Sequence, residues 1–368
     1  MTALALREAP APPPLRLGRA ELRDVSPRPV FYAADEGGCK WYRCTLPARV
    51  VGGAVTTGLS IVHHRATGVA TAYVGTGTPS VFQRPVQDTV ADTLEGVKAS
   101  GGRVIVELDD NVAAMNYLNP LTGQFGRASV KALARAIKAA DAVTVSTVPL
   151  ADSLRKWNKH IAVIPNAIDP ADFPEVVRPD DGVVRVGWAG SVTHYVDLRV
   201  ALPALKELAR RKDVELHMFG FDPWDQPKAG HLMERPSGWK IASGVRYCYH
   251  GWAKEIRDHY ANIACLDVAL APLNPSVFND SKSAVKWIEH AAHGTAMVLC
   301  DARPYADVVA HGATGFLART PADWRKYLTR LVDDRRLRES IGGAARADVL
   351  ARHTMAQRAP LWREALSV

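Results

Sequence analysis

Residues 183–194 read VVRVGWAGSVTH. The apolar run over residues 183–189 predicts a buried strand, and the small residues Gly190 and Ser191 follow it, ahead of a helix predicted over residues 197–211. A strand, a glycine-containing turn and a helix in this order present backbone N–H groups to an anion such as a phosphate. We therefore expect Gly190, Ser191 and His194 to face a ligand. His194 is a candidate phosphate donor, although a single loop histidine is more often simply solvated.

The same alternation of strand, loop and helix continues on both sides of this stretch. After it, the pattern predicts strands at 215–219, 246–250, 266–271, 296–300 and 315–318, and helices at 254–263, 283–293 and in segments from 321 to 366. Before it, the pattern predicts strands at 29–33, 61–63, 80–83, 103–108, 142–146 and 160–164, and helices at 42–52, 88–100 and 127–140. Repeated strand–helix units of this kind indicate an α/β protein with parallel sheets.

The length of 368 residues is enough for about two domains. We predict a flexible leader over residues 1–24, a Rossmann-like first lobe over 25–169, a linker rich in Pro and Asp over 170–182 and a Rossmann-like second lobe over 183–350. A last helix, 351–368, is expected to pack back on the first lobe. Two such lobes bind a ligand in the cleft between the carboxyl ends of their strands.

The composition excludes several classes of protein. With 47% hydrophobic and 23% charged residues, the chain is neither disordered nor collagen-like. It has no apolar stretch of about 20 residues, and Arg7 and Glu8 interrupt the apolar N-terminus, so we expect neither a transmembrane segment nor a secretion signal. Five cysteines without a C-x-x-C pair favour reduced thiols in the cytoplasm over disulfides or a zinc site. The net charge of +8 permits a polyanionic partner without requiring one.

A glycine pair follows the first predicted strand of the first lobe. Glycines between a strand and a helix let the backbone approach a ligand closely. We expect Gly37, Gly38, Lys40 and Arg43 to form a loop on the acceptor side of the cleft. An ordinary strand–helix turn is the alternative.

Two acidic residues, Asp109 and Asp110, follow the strand predicted at 103–108. Because successive side chains of an extended backbone point to opposite sides, we expect one of them to cap the next element. The other is a candidate catalytic residue that holds a sugar hydroxyl, coordinates a cation or transfers a proton. A metal site would need a third ligand, which the sequence does not identify there.

The segment before and within the helix predicted at 283–293 carries a candidate anion site. Ser281 or Ser283 is expected to cap the helix, so that the free N–H groups of its first turn bind a phosphate. Lys282 and Lys286 are four residues apart and are expected to flank a diphosphate from one face. Glu289 is expected either to pair with Lys286 or to accept hydrogen bonds from a ribose diol. A solvated face of salt bridges is the alternative.

Several stretches resemble nucleotide-sugar-dependent glycosyltransferases of the GT-B fold, in particular the large retaining family 4. The resemblance covers about residues 140–350 and is carried by TVST (144–147), VIPNAID (163–169), VGWAGS (186–191), residues 278–294, PY (304–305) and GFL (315–317). In the first lobe, FQRP (82–85) and residues 102–110 resemble a subgroup found in surface-polysaccharide clusters and phage genomes.

The resemblance implies donor-binding roles for residues of the second lobe. Glu289 matches the second glutamate of the family's Glu-x7-Glu motif and is similar to its ribose-binding carboxylate, whereas the first glutamate is replaced by Ser281. Lys282 corresponds to the basic residue near the diphosphate. Many relatives have an arginine where this chain has Ser191–His194. No histidine matches the family's catalytic one convincingly, so Asp109 or Asp110 is the substitute candidate.

The implied function is transfer of a sugar from a nucleoside diphosphate sugar to an acceptor hydroxyl, with retention of configuration. It implies no cofactor beyond that co-substrate, no metal requirement and no obligate protein partner. The acceptor is expected to be a hydroxymethylated pyrimidine in phage DNA, or alternatively a cell-surface polysaccharide or glycolipid. A non-catalytic protein that binds nucleotide sugar or DNA, and a sugar epimerase, are the remaining alternatives.

Overall fold

The computed structural model describes residues 16–17, 21–23, 28–64, 69–75, 79–115, 125–174, 177–221 and 245–367. Most of the leader predicted over residues 1–24 lies outside the described residues. Among the helices within them, none is long and apolar enough to cross a membrane.

The first lobe is built on a six-stranded, all-parallel sheet with the order β10-β9-β8-β7-β3-β4. The strands of this lobe are β1 (Arg16–Leu17), β2 (Glu21–Arg23), β3 (Val30–Ala33), β4 (Ala54–Thr57), β5 (Ser60–His64), β6 (Val69–Gly75), β7 (Ser80–Gln83), β8 (Val104–Leu108), β9 (Ala142–Val145) and β10 (Ile161–Val163). All six strands predicted here are confirmed. The predicted strand at 61–63 belongs to a second, four-stranded sheet, in which β6 pairs in parallel with β1 and β2 and antiparallel with β5.

Helices cover this sheet. They are α1 (Gly38–Lys40), a π-helical turn (Trp41–Thr45) that joins it to α2 (Leu46–Val51), α3 (Asp88–Ala99), α4 (Arg127–Ala139) and α5 (Val148–Leu154). The helix predicted at 42–52 therefore begins four residues earlier than expected. Its end is set by Gly52, whose φ of 71° is a backbone conformation that favours glycine.

The second lobe contains another six-stranded parallel sheet, with the order β13-β12-β11-β14-β15-β16. Its strands are β11 (Val184–Gly190), β12 (Val214–Gly220), β13 (Tyr247–His250), β14 (Val268–Ala271), β15 (Ala296–Cys300) and β16 (Phe316–Ala318). All six predicted strands of this lobe are confirmed. The two parallel sheets with their helices confirm the predicted α/β class.

The helices of the second lobe are more broken than the sequence pattern predicts. They are α6 (Tyr195–Leu198), α7 (Leu202–Leu208), α8 (Ile256–Ile263), α9 (Val277–Asp280), α10 (Val285–Ala292), α11 (Arg303–Ala306), α12 (Pro321–Asp333), α13 (Arg335–Arg352) and α14 (Met355–Leu366). The single helix predicted at 197–211 is two helices, and the segment around 281–284 is a non-helical connection between α9 and α10.

The helix α14 lies against the first lobe. The ring of Trp362 meets that of Phe31 edge-on, with centroids 6.0 Å apart, and Arg363 donates to the carbonyl of Val50 at 3.0 Å. Where the chain returns from α13, the N–H of Met355 donates to the carbonyl of Ile168 at 2.7 Å. The C-terminal helix therefore completes the core of the lobe in which the chain begins.

Candidate functional site

A cleft of about 610 Å³ lies between the two lobes, at the carboxyl ends of the strands of both sheets. It is the expected position for a ligand in this architecture. Thirteen of the fourteen residues predicted to form the site line it: Gly37, Gly38, Lys40, Arg43, Asp109, Asp110, Gly190, Ser191, His194, Lys282, Ser283, Lys286 and Glu289.

The exception is Ser281, which is buried beside the cleft and holds the lobes together. Its hydroxyl donates to the carbonyl of Val277 and accepts from Asn111 at 3.3 Å, while its carbonyl accepts from the Thr147 hydroxyl at 2.7 Å. The prediction that Ser281 or Ser283 caps the following helix is wrong. The first turn of α10 has no side-chain cap, because the hydroxyl of Ser283 is used instead to accept from Asn166 of the first lobe, at 2.8 Å.

The turn after β11 is fixed by Lys286. The ammonium of Lys286 donates to the carbonyl of Ala189 at 2.9 Å and lies 4.9 Å from the centre of the Trp188 ring. A Cβ at Gly190 would lie 2.5 Å from that ring and 2.8 Å from the Lys286 nitrogen, so position 190 requires glycine. Burial, and next the neighbouring Lys282, lower the pKa of Lys286 to about 8 despite the attraction of Asp197.

Lys282 crosses the cleft and pairs with Asp110. Its ammonium lies 3.2 Å from both carboxylate oxygens and 4.4 Å from the centre of the Phe278 ring. Since Lys282 precedes α10, it does not share a helical face with Lys286 as the spacing predicted. Both ammonium groups nevertheless line the cleft, because the connection before α10 brings Lys282 to the opening.

Glu289 is buried, and three side chains surround its carboxylate. Tyr42 of the first lobe donates to one oxygen at 2.6 Å, and its hydroxyl also lies 2.7 Å from that of Tyr260. His259 lies 3.4 Å from the other oxygen. Burial alone would raise the pKa of Glu289, but His259, Tyr42 and Lys286 together hold it below its usual range. Glu289 is therefore an ionised acceptor in the cleft.

His194 is a neutral acceptor in this arrangement. Burial, and then Lys286, lower its pKa to about 3, and its Nδ1 lies 2.9 Å from the carboxylate of Asp197. With Nδ1–H donating to Asp197, the lone pair is on Nε2. Donation from His194 to a phosphate would require a proton on Nε2, and this role stays a prediction. Asp197 itself accepts from the N–H of Asn274 and from Asn279, which fixes the turn to the loop after β14.

Asp109 and Asp110 point to different partners, as predicted for adjacent residues. Asp109 is 8% exposed, and one of its oxygens, Oδ1, has no hydrogen-bond partner. Burial would raise its pKa, but Arg84, together with a hydrogen bond from Cys39, holds the pKa below the usual range. Asp109 thus supplies an ionised, partly unsatisfied carboxylate, whereas Asp110 is paired with Lys282. The two carboxylates do not act together as a cation site.

The structure corrects the prediction that Arg43 belongs to a loop on the acceptor side of the cleft. It lies in the π-helical turn and is 1% exposed, because its guanidinium donates to Glu107 at 2.5 Å, to the carbonyl of Ile164 at 2.6 Å and to Asn166 at 3.0 Å. Burial raises the pKa of Glu107 to about 7 against the attraction of Arg43. Arg43 is a structural residue that supports the floor of the cleft.

The remaining residues of that segment form a strand–helix turn. The N–H of Gly37 donates to Asp35 at 2.8 Å, and Gly38 is the first residue of α1. A Cβ at Gly38 would meet nothing within 4 Å, so no close approach requires glycine there. Lys40 binds Glu36 at 2.5 Å and Thr57 at 2.8 Å at the rim of the cleft.

Sequence reasoning did not assign roles to Tyr42, Arg84, Trp252 or His259, all of which line the cleft. Arg84 is the most distinctive, because its φ of 47° is rare for a residue with a side chain. It forms an ion pair with Asp35 and stabilises ionised Asp109. Its position at the end of β7, directly before Pro85, is the one sequence signal that marked it.

The chain is similar in structure to several solved proteins. HepE from Anabaena, in complex with UDP and glucose, is 14% identical with a TM-score of 0.65 and matches 93% of this chain and 100% of its own. Sucrose-phosphate synthase from Thermosynechococcus elongatus is 13% identical with a TM-score of 0.63, over 92% and 99% of the two chains. A glycosyltransferase from Rickettsia africae is 12% identical with a TM-score of 0.61, over 95% and 99%.

At the level of sequence, residues 199–364 match the family described as "Glycosyl transferase-like". No curated protein matches the sequence. The matched segment contains Lys282, Lys286 and Glu289, and it begins shortly after the turn at Gly190. The chain therefore has the GT-B fold, and residues 199–364 are similar to the glycosyl transferase-like family.

Proposed function

We propose that this protein transfers a sugar from a nucleoside diphosphate sugar to an acceptor hydroxyl. The observation that carries the proposal is the convergence of Lys282, Lys286, the turn at Gly190 and Glu289 on one cleft between two lobes. Two ammonium groups and backbone N–H groups suit a diphosphate, and an ionised carboxylate nearby suits a ribose diol. HepE, which shares the fold, is described in complex with UDP.

The diphosphate is proposed to lie between Lys282 and the turn of Gly190 and Ser191. In the structure Lys282 is paired with Asp110. A diphosphate carries more negative charge than Asp110, so it attracts the ammonium away from that carboxylate. Positive charge at this point stabilises the departing diphosphate as the bond to the sugar breaks, which is the main electrostatic task of such a site. These groups supply that charge without a metal ion.

The nucleoside is proposed to extend towards Glu289 and Trp252. Glu289 would accept hydrogen bonds from the ribose hydroxyls. Trp252 is 64% exposed at the wall of the cleft, and an exposed aromatic ring there offers a flat apolar face to a base. The base would then be held by stacking and the ribose by charge-assisted hydrogen bonds.

The sugar is proposed to face Asp109 from the first lobe. The bond between C1 of the sugar and the diphosphate oxygen breaks, and the acceptor oxygen bonds to C1 from the same face, which retains the configuration. The acceptor proton passes to the departing diphosphate oxygen. The ionised Asp109, which lines the cleft, would stabilise the positive charge that develops on the sugar ring.

For the acceptor we propose a hydroxymethylated pyrimidine in DNA, on the basis of the net charge of +8 and the resemblance of residues 82–85 and 102–110 to a subgroup found in phage genomes as well as in surface-polysaccharide clusters. A surface polysaccharide or glycolipid is the alternative acceptor. The protein would be incubated with a mixture of nucleotide sugars and duplex DNA that is plain or contains 5-hydroxymethylpyrimidines. The digested nucleosides would then be analysed by mass spectrometry. A hexose- or pentose-sized gain on the modified DNA alone supports a DNA acceptor, and no gain overturns it.

The donor site is tested separately by titration calorimetry with UDP. We expect Lys282→Ala and Glu289→Ala each to weaken binding by about 10-fold or more, as for a lost charge-assisted hydrogen bond. Lys212→Ala is the matched control, because Lys212 is exposed on the same lobe outside the cleft. If both variants bind UDP like the wild type, the donor site is elsewhere. If UDP binds but no nucleotide sugar is ever turned over, the protein is a binding protein on a transferase fold.

A further inference from the structure

A second cluster of chemically reactive side chains lies on the edge of the sheet in the second lobe, outside the proposed donor site. The parallel strands β12 and β13 place His217 opposite Cys248, and Phe219 opposite His250. Since side chains alternate along a strand, Glu215 and His217 project from the same face as Cys248 and His250. This cluster was not predicted from the sequence, because its members come from two separate strands.

The potential ligand atoms of Glu215, His217 and Cys248 all lie within 4.8 Å of one another. His217 is almost fully buried, and its Nε2 lies 2.8 Å from Glu215 Oε1. In a tetrahedral zinc site with ligand distances of roughly 2.0–2.3 Å, ligand atoms are roughly 3.3–3.8 Å apart. Coordination would therefore require His217 Nε2 and Glu215 Oε1 to move apart by about 0.5–1 Å and the widest separation to shorten by about 1 Å, both within reach of side-chain rotation.

The residues around His217 are arranged like those that hold a metal-binding histidine in place. Its Nδ1 lies 3.0 Å from His250 Nε2 and 3.9 Å from the sulfur of Cys265. A histidine that binds a metal through one nitrogen is held in place by a hydrogen bond from the other, and His250 provides that acceptor. The ring of His250 is in turn stacked on Phe219, with centroids 4.3 Å apart.

Among the described residues, Arg185 is a cation that competes with a metal ion for Glu215. Arg185 Nε lies 4.0 Å from Glu215 Oε1, but its guanidinium is bound more closely by Asp181, at 2.6 Å. The carboxylate of Glu215 is partly exposed, so an ion can reach it from solvent.

We propose that Glu215, His217 and Cys248 form a zinc site, with His250 as the positioning residue for His217. The set of one imidazole, one thiolate and one carboxylate favours zinc over calcium or magnesium. The ion would tie the edge strand β13 to β12. Because β13 runs directly into Gly251 and Trp252, it would also fix the wall of the cleft. The site stands independently of the proposed transferase function.

The test uses the purified full chain, stripped with a chelator and titrated with Co²⁺ as a spectroscopic probe, followed by competition with Zn²⁺. We expect a thiolate-to-cobalt charge-transfer band at one equivalent, displaced by Zn²⁺. Cys248→Ser should abolish the band, and His250→Ala should weaken affinity about 10- to 100-fold, as for other outer-layer partners. Cys39→Ser, which removes a thiol elsewhere, should keep the band and the affinity.

Two outcomes would overturn the site. One is a wild-type chain that binds no Co²⁺ at micromolar concentration, and the other is a Cys248→Ser variant with an unchanged band. Far-UV circular dichroism shows whether the variants are folded, and Glu215→Gln, which keeps the shape of the side chain, serves as the second ligand variant. This variant should lower the Co²⁺ affinity while retaining the charge-transfer band.

Discussion

The hydroxyl of Tyr42, in the first lobe, donates to the carboxylate of Glu289, in the second, at 2.6 Å. The same carboxylate is the group proposed to bind the ribose. A tyrosine hydroxyl from one lobe therefore donates to the carboxylate that a ribose hydroxyl of the donor would use on the other. Donor binding exchanges one hydrogen bond for another.

Replacing Tyr42 with Phe is expected to lower the stability of the folded chain and to tighten donor binding. Without the donor, one oxygen of buried Glu289 loses its partner, so the free energy of unfolding should fall by about 1–3 kcal/mol. UDP should bind about 10-fold more tightly, because it no longer displaces the tyrosine and restores the missing bond. Thermal unfolding and calorimetry measure the two effects. Tyr327→Phe, on α12 outside the cleft, is the control, and weaker UDP binding by Tyr42→Phe would show that Tyr42 belongs to the donor complex.

The affinity for UDP should fall as pH rises above 8. Burial lowers the pKa of Lys286 to about 8, so its charge is lost above that pH. If only the charged form attracts the diphosphate, the dissociation constant rises by up to about tenfold per pH unit there. Calorimetry between pH 7 and 10 gives the profile. Lys286→Arg keeps its charge throughout this range, so its profile should be flat. An equally steep profile in that variant would assign the titration to another group.

Gly190→Ala should damage both the fold and the donor site. The added methyl group meets the buried ring of Trp188 at 2.5 Å, and that ring has no room to move. Overpacking of this kind costs about 1–3 kcal/mol, and the displaced turn should bind UDP more weakly. Gly343→Ala in α13 is the matched control, since its Cβ meets nothing within 4 Å and alanine favours the helix. Denaturant unfolding measures the loss of stability, and calorimetry measures the loss of UDP affinity. A Gly190→Ala variant as stable as wild type would contradict the packing argument.

Asp109→Asn should slow turnover without affecting UDP binding. The change removes the negative charge proposed to face the sugar while it keeps the shape of the side chain. We expect a loss of about 100-fold or more in the rate of donor turnover and an unchanged dissociation constant for UDP. Asp110→Asn should instead leave the rate of donor turnover unchanged and tighten UDP binding, because it releases Lys282. Equal effects of the two variants on both quantities would contradict the separation of roles.

Glu107 should make stability depend on pH. Its folded pKa of about 7 lies above the value of 4.5 for a free glutamate, so ionisation is less favourable in the folded chain. The contribution of Glu107 is therefore full below pH 4.5 and is lost as pH rises to about 7, by up to about 3 kcal/mol. The difference in unfolding free energy between wild type and Glu107→Gln, measured from pH 5 to 8, isolates this contribution. A constant difference would show that Arg43 keeps Glu107 ionised throughout.

The sequence pattern was sufficient for the two main sheets but not for the smaller features. Strands such as β14 and β15 are continuous apolar runs that are buried on both faces, so their pattern is unambiguous. Strand β4 was missed because it is largely exposed and half of its residues are threonine, and β6 was missed although it pairs with β5, the strand directly before it. The break between α9 and α10 was missed because Ser281 and Ser283 bond across the lobes instead of capping the helix.

The positions of Asp109 and Gly190 were predicted from where strands end, whereas that of Glu289 was predicted from its spacing along a helix and from the family resemblance, and all three line the cleft. The same rule says nothing about partners. Nothing in the spacing indicates that Arg43 is buried against Glu107, or that Tyr42 reaches Glu289 from the other lobe. Such contacts are set by how the lobes pack, and no local pattern encodes them.

The return of the chain near Ile168 has a mechanical consequence. The two places where the backbone passes between the lobes lie side by side, because the N–H of Ile168 donates to the carbonyl of His353 at 2.9 Å and its carbonyl accepts from Met355 at 2.7 Å. We expect two adjacent, hydrogen-bonded crossings to act as a double-stranded hinge, which allows the lobes to rotate about one axis but resists shear and separation. The cleft should therefore open by a single swinging motion that parts Glu289 from Tyr42.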